Sequence, residues 1–518
     1  MGKRYALTGF FLIVLLFTSL CVGAAQPSVT FVQQVDADGY DELMVTTPLG
    51  NYLFSEDGGT LKSALLTFAP YGSTVSELII GTTSDDETFG RTYVLGAEFA
   101  FDLQYEGIAF DYTLSEPVTT DTGALIIEMR GEGGGISVVK RFTIEPDALY
   151  TMTVEVEITS SEAWTDPLHL LLSNYTPKEK GKQLTYLYDG KPEPAPFESS
   201  PLVLFQGLGL MDDETVFFLK PDGATSVVPF AELSGAGTRR VGISLPVSSG
   251  SSSYRFVLYG GRRRYVAMEA AGIEAVDQTG VFARLMVYVI RFLNWLYKYT
   301  GNYGWAIILF TVLMRIVLFP LMRKQYHSMA RIQQIQPRLK RIQEKYKDNK
   351  EEMQKQTLEL YRKEKVNPMS GCLPMLVQLP IIIVIWRALL YASEQIHLSP
   401  GFLWVPDLSL HDPYFILVIL TTLIMLVQQY FMSPMTPDAA GPQKYMGYFF
   451  PILMAFLLWK FPAGLWLYYL LTTAAQVAQQ AFVNWEMARV KANQAVVAGD
   501  EVIDIDGSTT ENDNGDTA

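Results

Sequence analysis

The stretch TVLMRIVLFP, residues 311–320, closes an apolar run that begins near Tyr303. The run, 303–321, is about the length a helix needs to cross a bilayer. Arg315 stands inside it. An arginine in hydrocarbon is costly and is tolerated where its head reaches the interface or faces a hydrated cavity. The environment of this one residue decides what the chain is built to do.

Outward from Arg315 the chain divides. Residues 26–280 are mixed and polar, with 16 Lys/Arg against 36 Asp/Glu, whereas 323–365 carries 13 against 6. The sign of charge therefore flips across the first apolar run. Basic segments are retained inside, so 323–365 is expected in the cytoplasm and the acidic domain outside. The acidity also excludes nucleic acid as that domain's partner. Cys21 and Cys372 make no disulfide framework, and His169, His327, His397 and His411 have no metal-ligand spacing. Neither a metal nor a cofactor is expected.

Residues 1–25 begin with Lys3 and Arg4 and continue into an apolar segment ending near Ala24 and Ala25. A cleaved signal peptide and an uncleaved anchor both fit, and either exports the acidic domain. Residues 26–275 are expected to be an all-β sandwich. In TMTVEVEI, 151–158, Met152, Val154, Val156 and Ile158 alternate with polar residues. ALIIEMR, TVFFLK and YRFVLYG are further short strands between turn residues. GEGGG, 131–135, lacks the Gly-Lys-Ser/Thr ending of a phosphate loop and is expected to be a hairpin turn.

In 276–300, Arg284, Arg291 and Lys298 recur every seven residues and share one helical face. Such a helix suits the membrane interface, its cations facing headgroups; packing against the β domain is the other reading. The core, 301–487, holds apolar spans at about 303–321, 372–392, 413–431, 446–460 and 464–484. Between the first two, 322–366 reads as a helical hairpin. Ile332, Ile335, Leu339, Ile342 and Tyr346 form its seam, KDNK its turn, and Pro337 a kink. Arg331, Arg338, Lys340, Arg341 and Lys345 are its basic surface. The span 446–460 is short and is expected to thin the bilayer locally. The tail, 488–518, is acidic and expected to be disordered.

None of the five apolar stretches contains Asp or Glu. A carboxylate at the depth of Arg315 is therefore not expected. Either Arg315 snorkels to the cytoplasmic surface, or it lines a hydrated hollow open to that side. Thr311, Gln378, Gln428, Gln429, Tyr469 and Gln476 are polar companions on these spans. Each alone suits a helix-to-helix hydrogen bond; together with the arginine they favour a groove. Such a groove suits a small anion or an acidic peptide segment. Arg387, near the outer end of its helix, suits interfacial snorkelling.

Arg315, the basic hairpin, YRKEKVNPMSGCLPMLVQLPI (361–381) and WKFPAGLWLYYLLTTAAQVAQQ (459–480) together resemble the YidC family of membrane protein insertases, related to the Oxa and Alb proteins of organelles. The resemblance implies a multi-domain inner-membrane protein of the Gram-negative type. A periplasmic β-supersandwich would join a five-span helical core with a cytoplasmic helical hairpin. Its function would be to insert nascent membrane proteins and help them fold, alone or with the Sec translocon. It would hydrolyse no nucleotide, perform no catalysis in the usual sense, and recognise no nucleic-acid sequence. Arg315 matches the groove arginine, and Thr311 and Tyr469 match two groove positions implicated in substrate contact. The hairpin would face the substrate and the ribosome. The tail departs from the pattern: seven acids lie between Asp500 and Asp516, which disfavours docking to ribosomal RNA. A small-anion channel or transporter is the alternative, although no inverted repeat is evident. A sugar-converting enzyme would want more than His169 in the outer domain.

Overall fold

A computed structural model describes residues 27–71, 76–79, 92–97, 100–105, 108–175, 183–194, 205–223, 227–234, 238–276, 281–364, 373–432 and 442–506. The expected signal or anchor (1–25), Cys21, Cys372, all of KVNPMSGC (365–372), and the last twelve residues of the tail lie outside the described residues. The chain forms two compact units. One runs to Phe292 and includes Arg387–Leu410; the other comprises Leu293–Trp386 and His411 onward.

The first unit contains three sheets. A six-stranded sheet is formed by 30–35, 41–46, 50–55, 60–66, 76–79 and 92–97, in that order. A ten-stranded sheet has 250–262 and 151–160 at its centre, and 228–234, 238–245, 168–175 and 103–104 make a four-stranded one. All three contribute to one hydrophobic core, for example through Leu43, Phe54, Val154, Phe256, Leu170 and Ile243. The expected alternation holds in 151–160: Met152, Val154, Val156 and Ile158 are buried while Thr153, Glu155 and Glu157 are not fully so. Val216–Leu219 are all buried, a continuous apolar run rather than an alternating one. The 131–135 glycines do form a hairpin turn, with Gly134 and Gly135 at φ 61° and 81°. Close strand approach explains Gly242, where a Cβ would lie 2.1 Å from the Leu170 carbonyl oxygen. Gly242→Ala is expected to cost about 3 kcal/mol, read as a lowered melting temperature of the β unit.

Two helices continue the chain from the last strand. Helix α1 (Tyr265–Ala270) is short and belongs to the first unit. Helix α2 (Val281–Thr300) begins in this unit and ends in the other. Arg284, Tyr288, Arg291, Trp295 and Lys298 are exposed along one stripe of α2, and Met286, Ile290, Leu293 and Leu296 are buried. Leu285, beside Arg284, is 49% exposed. The cation stripe thus carries aromatic and apolar companions.

The second unit is helical. Helix α3 (Tyr303–Lys345) is a single 43-residue helix, N-capped by Asn302, and it stays helical through Pro320 and Pro337. Its stretch Tyr303–Arg323 is long and apolar enough to cross a membrane. A turn leads into α4 (Lys350–Lys363), whose N-cap is Asn349. Helix α5 (Leu373–Tyr391) is followed in the first unit by the short α6 (Ser393–His397). Then come α7 (Ile416–Met432), α8 (Pro442–Leu458) and α9 (Ala463–Asp506). The apolar stretches of α5, α7 and α8 within Gln378–Tyr391, Ile416–Gln429 and Gly447–Leu458 are shorter than that of α3.

Two expectations need correction. The segment 393–412, left between two expected spans, is not simply an exposed connection. Ile396, Phe402, Val405 and Leu408 are buried, and Leu398 packs on the β core. Nor is the chain irregular from 488: α9 continues to Asp506. The sequence EMARVKANQAVVAG, 486–499, is rich in helix formers and contains no proline, so propagating an existing helix is easier than ending it.

Candidate functional site

Helices α3, α5, α7 and α9 carry the polar residues of the apolar stretches. Arg315 is buried at 8% exposure, and its Nη2 donates to the Thr472 carbonyl of α9 at 2.9 Å. That carbonyl lies within a helix, so the guanidinium adds a second donor to an oxygen already in the helical ladder. Tyr468 lies one turn before Thr472 on α9.

A chain of hydrogen bonds crosses three helices beside it. Gln428 Nε2 on α7 donates to Gln476 Oε1 on α9 at 3.0 Å. Gln476 Nε2 donates to Gln378 Oε1 on α5 at 3.5 Å. Gln378 Nε2 donates to the Tyr468 hydroxyl at 3.3 Å. An amide has both donors and an acceptor, so three glutamines can relay across three helices where a hydroxyl alone could not. Such bonds are easily exchanged for bonds to water or to a visiting peptide, because each contributes little net energy.

The other expected residues are placed differently. The Thr311 hydroxyl donates to the Ile307 carbonyl of its own helix at 2.7 Å and is fully buried. Tyr469 is partly exposed, and it is its neighbour Tyr468 that joins the glutamine chain. Gln429 lies apart from the relay, against α8: a Cβ on Gly447 would come within 2.3 Å of Gln429 Nε2. Sequence reasoning missed Tyr468 and Thr472. Their signal is the spacing Tyr468, Thr472, Gln476 and Gln480, one polar residue every four on one face of α9.

Around this polar interior the outer faces are apolar and bare. Ile316 and Val317 of α3 are 64% and 71% exposed, and Phe456 of α8 is 75% exposed. Exposed apolar side chains of this kind suit a lipid environment. Further along, Arg323 pairs with Glu486 at 2.8 Å. In the hairpin Arg338 pairs with Glu364, and Lys340, Arg341 and Lys345 lie on its outer surface; the Arg331 side chain lies outside the described residues. His169 belongs to the β unit, with Nδ1 3.1 Å from Ser244 Oγ and Nε2 3.8 Å from Glu232.

Residues 295–490 match the family model described as 60Kd inner membrane protein. A membrane protein insertase YidC of Geobacter sp. (strain M21) is 31% identical over 469 residues, covering 86% of this chain and 85% of that one. The corresponding protein of Syntrophus aciditrophicus (strain SB) is 30% identical over 493 residues, covering 89% and 88%. Among solved structures, an active YidC insertase with its first transmembrane domain resolved has the same fold, with a TM-score of 0.50 at 22% identity, covering 92% of this chain and 99% of that one. On the strength of these full-length relatives, the chain belongs to the YidC family of membrane protein insertases.

Proposed function

We propose that the protein inserts nascent membrane proteins through a polar groove formed by α3, α5, α7 and α9, with Arg315 as its electrostatic centre. The observation that carries this reading is the Gln428–Gln476–Gln378–Tyr468 chain beside Arg315, inside helices whose outer faces are bare and apolar. A polar client segment exchanges its hydration for this wall while its apolar part enters lipid. Burial of the new helix drives the step at roughly 25 cal/mol per Å² of apolar area. The five helices are the five spans, and the short apolar stretch Gly447–Leu458 of α8 thins the bilayer beside the groove. The charge reversal across the first span supports a periplasmic β domain and a cytoplasmic hairpin. Lys340, Arg341 and Lys345 are the hairpin cations for a ribosome-side contact. Action beside the Sec translocon and help in folding are carried over with the family.

Site-specific photo-crosslinking tests this. A photoreactive residue at Gln378 or Gln476 is expected to capture a stalled single-span client at several times the yield of one at lipid-facing Phe456. Equal yields at all three positions would mean that clients do not use the polar interior. Chloride or phosphate flux through liposomes holding the purified protein, without any client capture, would favour the anion-channel reading.

A further inference from the structure

The carboxylate of Glu394 is 1% exposed, although it lies in the connection between two apolar helices. Three groups converge on it. The Tyr150 hydroxyl donates to Oε1 at 3.4 Å, Arg264 Nε stands 3.6 Å from the same oxygen, and Ser393 Oγ donates to Oε2 at 3.1 Å. Arg264 also lies over the Tyr391 ring, 5.0 Å from its centroid. Tyr150 and Arg264 belong to the β domain; Tyr391 is the last residue of α5.

The position of Tyr150 is specially built. Its φ is 63°, a left-handed conformation that costs a non-glycine residue energy. A Cβ on Gly261 would lie 2.2 Å from the Tyr150 ring, so only glycine leaves that ring its place. Such a conformation persists only where the surrounding structure fixes it.

A second contact fastens the far end of the same segment. His397 Nδ1 is 2.6 Å from Asp407 Oδ2, and Asp407 Oδ1 accepts from Ser409 N and Oγ at 2.7 and 2.6 Å. The His397 ring stacks on Phe68 at 4.1 Å, and the Phe68 carbonyl accepts from buried Arg262 at 3.1 Å. The segment 391–409 is thus held on the β domain at both ends.

We propose that Glu394, Arg264 and Tyr150 are positioning residues for insertion: they clasp the continuation of α5 to the β domain and so fix the helix that carries Gln378. The inference rests on the groove reading. A buried ion pair contributes little net stability but is severely disrupted when one member is removed, and its attested use is to fix register.

The test uses the full chain in liposomes. Glu394→Gln keeps the shape and leaves Arg264 without its charge partner. Amide exchange in 393–409 is expected to quicken at least tenfold, while strand 151–160 keeps its protection. Client capture by a photoreactive residue at Gln378 is expected to fall several-fold. The double variant R264Q/E394Q, which removes both charges, is expected to recover most of both. Should Glu394→Gln fail to fold, Tyr150→Phe should move both readouts the same way by less. Unchanged exchange in 393–409 overturns the clasp. Quickened exchange with undiminished capture at Gln378 overturns the positioning role. Absence of capture at Gln378 in the wild type overturns the groove reading and the positioning role with it, while the exchange result still decides the clasp.

Discussion

Insertion of a client with an acidic tail is expected to fall at least tenfold when Arg315 is replaced by alanine. The magnitude follows from the charge. A unit pair about 6 Å apart at an effective dielectric of about 20 gains about 3 kcal/mol, roughly a hundredfold, and water in the groove reduces this. Arg315→Lys keeps the charge and is expected to recover part of the activity. It loses the planar fork with which arginine holds the Thr472 carbonyl while presenting its charge elsewhere. A neutral-tailed client should depend on Arg315 less, and added salt should narrow the difference between the two clients. The measurement is protease-protected client in liposomes of purified protein. Undiminished insertion by Arg315→Ala would leave hydration and bilayer thinning as the mechanism.

Much of this was legible because bilayers impose simple constraints. Length and apolarity located the starts of α3, α5, α7, α8 and α9 to within a few residues, while α3 and α9 run on well past the apolar stretches. Alternation in 151–158 gave the inward face of a strand, because a half-buried strand repeats every two residues. What sequence could not provide was tertiary partnership. Gln378, Gln428 and Gln476 were identifiable as polar residues in apolar helices. That they bond to one another, while Gln429 sits against Gly447, depends on helix rotation and packing. Thr311 looked like a groove residue, yet its hydroxyl bonds to its own helix, a local option that any threonine in a helix possesses. The burial of Glu394 was hidden for a related reason. A glutamate in a connection reads as solvated until its partners, remote in sequence, are brought to it.

Lys140 is the extreme case of such hidden partnership, and it yields the second large effect. It lies within strand 136–144 and is fully buried. Its Nζ donates to the carbonyls of Gly58, Gly59 and Phe101 at 2.8, 3.0 and 2.7 Å and sits 4.1 Å from the Tyr112 ring centroid. This one side chain thereby ties the 57–60 turn and residue 101 to the ten-stranded sheet. Lys140→Met would leave three carbonyls without this donor, at an expected cost of about 3 kcal/mol or more. The wild-type protein should also show a pH signature. Burial lowers the Lys140 pKa from 10.5 to about 7, with Asp102 opposing the shift. Above pH 7 the unfolded chain therefore binds more protons at this residue than the folded one, so its contribution to stability rises with pH. Burial raises the hydroxyl pKa values of Tyr112, Tyr150 and Tyr259, so their opposing loss begins only above about pH 10. Between about pH 7 and 9 the wild-type amides of 125–160 should gain protection against exchange. Lys140→Met should be less protected throughout and lack that gain. A gain of equal size in both proteins would assign the pH dependence to other groups and reduce Lys140 to a packing residue.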